Sequence, residues 1–170
     1  MLAGLRPLLL PSHLEDAPIK VSFADNRWYT VPGGCGIAEA TSDAVYLAMS
    51  LRNVGSGIAV LHGWWFYPDR SRGREGPPDL ETVHRLARDL YVPAGDVGFW
   101  QGVFRDPAEP DFGRATDAIG TRETMMIDVL YGDQEGGQRV VSRFSLTPGK
   151  DDAWVVTSAR HWHLDRPDPR

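Results

Sequence analysis

AVYLAMSLRNVGSGIAVLHGWWFYPD, residues 44–69, reads as two strands and the turn between them. Val45, Leu47, Met49 and Leu51 alternate with Tyr46, Ala48, Ser50 and Arg52, the period of a strand with one inward face. Asn53-Val54-Gly55-Ser56-Gly57 then reverses the chain. Gly55 and Gly57 admit positive φ without steric cost, and the Asn53 side chain can bond the backbone of its own turn. Ala59 enters the second strand, and residues 58–67 are apolar on both faces, as in a central strand covered on both sides.

Strand patterns continue outward from there. Residues 19–23 alternate, 24–26 turn and 27–31 return, which predicts a hairpin. Residues 97–104, 124–131, 139–146 and 153–161 also read as strands, with the Gly-rich loop 132–137 joining two of them. One convincing helix is expected over 79–90. Pro78 precedes it, Asp79 is an N-cap and Glu81 sits where the helix dipole favours an acid. Leu80, Val83, Leu86, Ala87 and Leu90 form its apolar stripe. A short second helix is expected over 112–122, and the loop 71–78 is the best candidate for disorder. The expected fold is all-β: an immunoglobulin-like β-sandwich of about seven or more strands with one inserted α-helix. Its domain spans 18–164, after a leader segment 1–17 that packs on the domain or frays and before a charged tail 165–170.

A chain of 170 residues is long enough to bury a core without staples. A net charge of -5 argues against non-specific binding to nucleic acid or anionic membranes. No stretch is long and apolar enough to span a bilayer. Cys35 is the only cysteine, and no basic residue within five positions lowers its pKa, so it reads as an inert thiol.

The segment Leu51-Arg52-Asn53-Val54-Gly55-Ser56-Gly57-Ile58-Ala59, with Pro93-Ala94-Gly95-Asp96 further on, resembles bacterial immunoglobulin-like modules of the CARDB-like type. The phrases YLAMSLRNVGSGIAVLHGW, YVPAGDVGFWQ, YGDQEGGQR and RHWHLDR are similar to a group of uncharacterised actinobacterial proteins, some with membrane helices upstream of such a domain. These resemblances imply a sandwich but no activity. The expected location is the cytoplasm, and the membrane helices upstream in some of those proteins imply a link to a membrane through such a segment.

Three functions follow as expectations. The first is a non-catalytic interaction or accessory module for a protein partner, with no cofactor. The second is a carbohydrate- or small-ligand-binding sandwich that displays Trp64, Trp65, Trp100 and Trp162 on an exposed face. The third is a metal-dependent hydrolase. His161 and His163 stand two apart on one strand and so share a face, with Asp133, Glu135 or His62 as a further ligand. Asp128, mid-strand, needs a buried partner such as Arg143 or Arg160. No serine lies in a Gly-x-Ser-x-Gly context, and the 132–137 loop lacks the ending of a phosphate loop.

Overall fold

A computed structural model describes residues 6–68 and 76–165 of the chain. The strands are β1 (Leu9–Pro11), β2 (Ile19–Ser22), β3 (Trp28–Val31), β4 (Cys35–Ala40), β5 (Val45–Asn53), β6 (Ala59–Tyr67), β7 (His84–Val92), β8 (Val97–Phe104), β9 (Met125–Gly132), β10 (Arg139–Pro148) and β11 (Trp154–His163). One α-helix, α1 (Pro110–Gly120), lies between β8 and β9. The fold is therefore all-β with a single α-helix among the described residues.

Nine strands form one antiparallel sheet in the order β1-β5-β4-β11-β10-β9-β6-β7, with β8 also paired to β5, while β2 and β3 form a separate hairpin. β8 holds one edge of the sheet through β5, and β7 holds the other through β6. Only the short turn 93–96 separates β7 from β8 in the chain. A connection that short draws the two edges together, so the sheet curls and its edges meet along a seam.

Inside the curl lie Val45, Leu47, Met49 and Leu51 of β5, Trp64 and Phe66 of β6, Trp100 and Phe104 of β8, and Phe144 and Leu146 of β10. α1 begins at Pro110, whose fixed φ suits a first helical position. It buries Phe112, Ala115 and Ala118 in the same core and packs against β4 and β5. Both faces of β5 are buried. Tyr46 and Ala48, read from the alternation as outward, lie beneath Val21, Phe23 and Val31 of the β2–β3 hairpin. Ser50 bonds Ser12 at 2.6 Å. The alternation separates the two faces of the strand, but it does not reveal that a hairpin covers the polar-looking one.

β6 is central, as its two apolar faces imply. Trp64 and Phe66 face the main core, while Trp65 joins Leu130, Val141 and Trp162 in a second cluster outside it. β1 pairs with β5, and Leu9 is fully buried. Among the described residues no helix is long and apolar enough to cross a membrane.

Two expectations are corrected. Residues 79–90 are not an α-helix; a single 3-10 turn, Leu80–Thr82, precedes the strand β7. Asp79 does cap, accepting the Glu81 N–H at 3.0 Å. Leu86 and Leu90 fit a period of two as well as a helical stripe, and the pairing of β7 with β6 selects the strand. The ladder is irregular, stepping from Leu61↔Leu90 to Gly63↔Arg85. Residues 86–89 therefore bow away from β6. The second correction concerns the turn glycines. Positive φ occurs at Gly95, not at Gly55 or Gly57. Gly55 is required for space, since a Cβ there would stand 2.2 Å from the Arg6 carbonyl oxygen. Most of the loop 71–78, and the tail from 166 onward, lie outside the described residues.

Candidate functional site

Where β7 bows out, the seam opens into a cleft of about 420 Å³. Arg85, Leu86 and Arg88 line it from β7, Gln101, Gly102 and Val103 from β8, and Trp64 from β6. Phe23, Ala24 and Arg105 complete the wall. Gly102 makes this packing possible: a Cβ there would meet ring carbons of Trp100 at 2.6 Å and of Trp64 at 2.8 Å. Trp64 and Trp100 thus close over the glycine edge to face, with centroids 5.1 Å apart.

Three guanidinium groups surround this apolar ground. Arg105 pairs with Asp25 at 3.1 Å. The Tyr46 hydroxyl also donates to Asp25, and that bond, followed by the one from Arg105, holds the carboxyl down at about 2. Arg88 lies over the Phe99 ring, 5.5 Å from its centroid. Arg85 makes no ion pair or hydrogen bond among the described residues. It also lines an adjoining cleft of about 400 Å³ with His62, Leu80, Val83, Leu130, Gly136 and Arg139. Burial, then the Arg139 charge, pushes the His62 pKa down. In a chain of net charge -5, Arg85, Arg88 and Arg105 line the first cleft, and Arg85 and Arg139 line the second.

A second cluster stands at the start of α1. The β6–β7 register sets His84 opposite Trp64. The imidazole lies 4.8 Å from the Trp64 ring and 5.5 Å from that of Phe104. Its Nδ1 faces Glu109 Oε1 at 3.6 Å, and its Nε2 faces Asp111 Oδ2 at 3.5 Å. All three side chains are part-buried. Sequence reasoning passed over them. His84 lies outside the apolar stripe expected for 79–90, Glu109 and Asp111 precede the expected short helix, and only the tertiary pairing brings them together.

The residues singled out from sequence fall as follows. Trp64, Trp65, Trp100 and Trp162 are no more than 4% exposed, so they build core, although Trp64 lines the seam cleft. His161 and His163 share a face of β11, opposite Ser142 and Val140. His161 Nδ1 bonds Ser142 at 2.5 Å and its Nε2 bonds Ser158 at 3.1 Å. Burial lowers its pKa. His163 contacts Arg6, which also holds Asp165 at 2.7 Å. Asp133 closes its own turn by accepting the Gly137 N–H at 2.9 Å, and Glu135 is exposed. Among the described residues, the donor set close enough for one ion is His84, Glu109 and Asp111.

The Ser142–His161 contact belongs to a buried chain. The Leu9 N–H donates to Tyr131 Oη at 2.9 Å, and Tyr131 Oη lies 2.7 Å from Ser142 Oγ. Ser142 is fully buried, and the far nitrogen of the imidazole meets Ser158 and, among the described residues, no carboxylate, so the pair lacks the access and third member of a nucleophilic triad. Asp128 has the partner expected of it: Arg143 grips it with two bonds of 2.7 and 2.8 Å. Burial raises the Cys35 thiol pKa, in keeping with an inert residue.

No protein-family model, curated protein or solved structure matches this chain.

Proposed function

We propose that this domain is a non-catalytic binding module whose protein partner supplies an extended acidic segment to the seam between β7 and β8. The observation that carries this reading is the seam cleft itself, where Arg85, Arg88 and Arg105 surround Trp64, Leu86 and Val103. Each bordering strand pairs on its far side, β7 with β6 and β8 with β5. Unpaired strand edges are templates for an added strand, with backbone bonds supplying affinity and alternate side chains supplying specificity. A segment alternating acidic and apolar residues would meet the guanidinium groups with one set and the aromatic floor with the other. Two adjoining clefts that share Arg85 suit an elongated occupant better than a compact one.

The immunoglobulin-like kinship is part of the same proposal. Its support is that the two turns carrying the resemblance touch: Asn53 N–H donates to the Asp96 carbonyl at 3.0 Å, and Gly95 N–H donates to the Asn53 carbonyl at 2.9 Å.

The test is selection of displayed random nonapeptides on the immobilised domain, with the exposed pair R85E/R88E as the counter-target. Enriched peptides are expected to alternate acidic and apolar residues, to weaken with added salt and to lose at least about tenfold in affinity on the double variant. Peptides that bind both proteins equally, or no enrichment at all, would overturn the reading. So would binding to anionic lipid vesicles in place of peptide.

A further inference from the structure

We infer that His84, Glu109 and Asp111 hold a divalent first-row transition-metal ion at the junction of β7 and α1. A neutral imidazole carries one N–H and one lone pair. Here both ring nitrogens face carboxylate oxygens. One nitrogen would therefore set its lone pair against those of an oxygen unless a cation lies between them.

A proton is the smallest such cation, but the spacing suits a larger one. Charge-assisted N–H···O bonds run about 2.7–2.9 Å, whereas the two gaps here are 3.6 and 3.5 Å. Two ligand atoms held at about 2.1 Å from one tetrahedral ion stand about 3.4 Å apart. One donor atom from each residue lies within 4.8 Å of the other two. Closing that set asks for a shift of about 1 Å in two part-exposed carboxylates.

The ring is held for this task by its contacts with Trp64 and Phe104, which leave its nitrogen edge toward α1. The helix dipole accounts for acids at the start of α1, but not for an imidazole set between them. Asp111 Oδ1 is engaged by Arg114 at 3.3 Å, leaving Oδ2 for the ion. A cleft of about 340 Å³, lined in part by His84, Asp111 and Asp79, adjoins the cluster and gives water access to the remaining coordination positions. One nitrogen with carboxylate oxygens suits Zn²⁺, Co²⁺ or Mn²⁺, while all-oxygen sites suit Mg²⁺ and Ca²⁺.

The test uses metal-stripped full chain, titrated with Zn²⁺ by calorimetry and with Co²⁺ by visible absorption. One ion per chain is expected, with a rise in melting temperature. Affinity is expected to fall at least about tenfold in both His84→Ala and Glu109→Gln and to hold in His163→Ala. Glu109→Gln keeps size and shape at a part-exposed position, so circular dichroism can confirm a folded protein if His84→Ala fails to fold. Absence of saturable binding overturns the site. So does binding that survives both variants or that disappears with His163→Ala.

Discussion

Replacing Asn53 with Ala is expected to remove about 3–5 kcal/mol of stability. The side chain is fully buried and makes four bonds to backbone groups. Its Oδ1 accepts from Leu8 N–H at 3.2 Å and Gly55 N–H at 3.0 Å; its Nδ2 donates to the Gly57 carbonyl at 2.7 Å and the Val92 carbonyl at 2.9 Å. These partners come from the segment before β1, from the 53–57 turn and from the end of β7. Three of the bonds are part-buried and contribute about 1 kcal/mol each, while the buried Val92 carbonyl, left dry, costs about 2. Water entering the turn brings the total toward the lower end. Urea unfolding followed by Trp fluorescence reads this as a midpoint shift of about 2 M. Asn53→Asp separates the mechanism from mere polarity. It keeps the oxygen that accepts both N–H groups but replaces the amide nitrogen that donates twice with an oxygen facing two carbonyl oxygens, so it should cost at least as much as Ala. A loss below about 1 kcal/mol for Ala, or a clear recovery with Asp, would refute the account.

Two further outcomes follow. Arg143→Met leaves the fully buried Asp128 without its cation and should cost about 3–5 kcal/mol; urea unfolding of Asp128→Leu/Arg143→Met should recover most of that, and equal losses in both would contradict it. Stability should also decline with acid in two stages, read as midpoint against pH. His62 and His161 are depressed below 6.5, so the unfolded chain takes up protons first and stability falls as pH drops through that range. Asp25, lowered from 3.8 to about 2, withdraws its contribution between those values, and Asp25→Asn should flatten that second stage.

Strand positions were legible where a strand keeps one periodicity over a half-buried surface, as β2 and β3 do, and where an apolar run between turn residues is buried on both faces, as in β9 and β10. The Asp128–Arg143 pair was legible for a related reason: a charge between Ile127 and Val129 on a strand has no place without a partner. β7 was misread because Leu86 and Leu90 satisfy two periods at once, and the choice between them is made by β6, distant in sequence. The seam cleft was illegible for the same reason. Arg85, Arg88 and Arg105 gain a common role only when the sheet curls, and nothing local to any of them encodes the curl. His161 and His163 show the converse. Both lie on β11, but Ser142 and Arg6, which engage them, come from elsewhere in the chain.

The place of β11 in the sheet bears on how the chain folds. It is the bridge between two groups of strands, β1, β4, β5 and β8 on one side and β6, β7, β9 and β10 on the other. Its link to the first group is short, Trp154↔Gly36 and Val155↔Cys35. A contact between residues so far apart in sequence closes a large loop, and such pairings slow folding. On the ribosome, β4 stays an open edge until β11 has been made. The growing chain therefore holds an unpaired strand beside apolar surface until that point, a state prone to wrong pairing. Folding of this domain is thus a late, concerted closure that waits for its last strand.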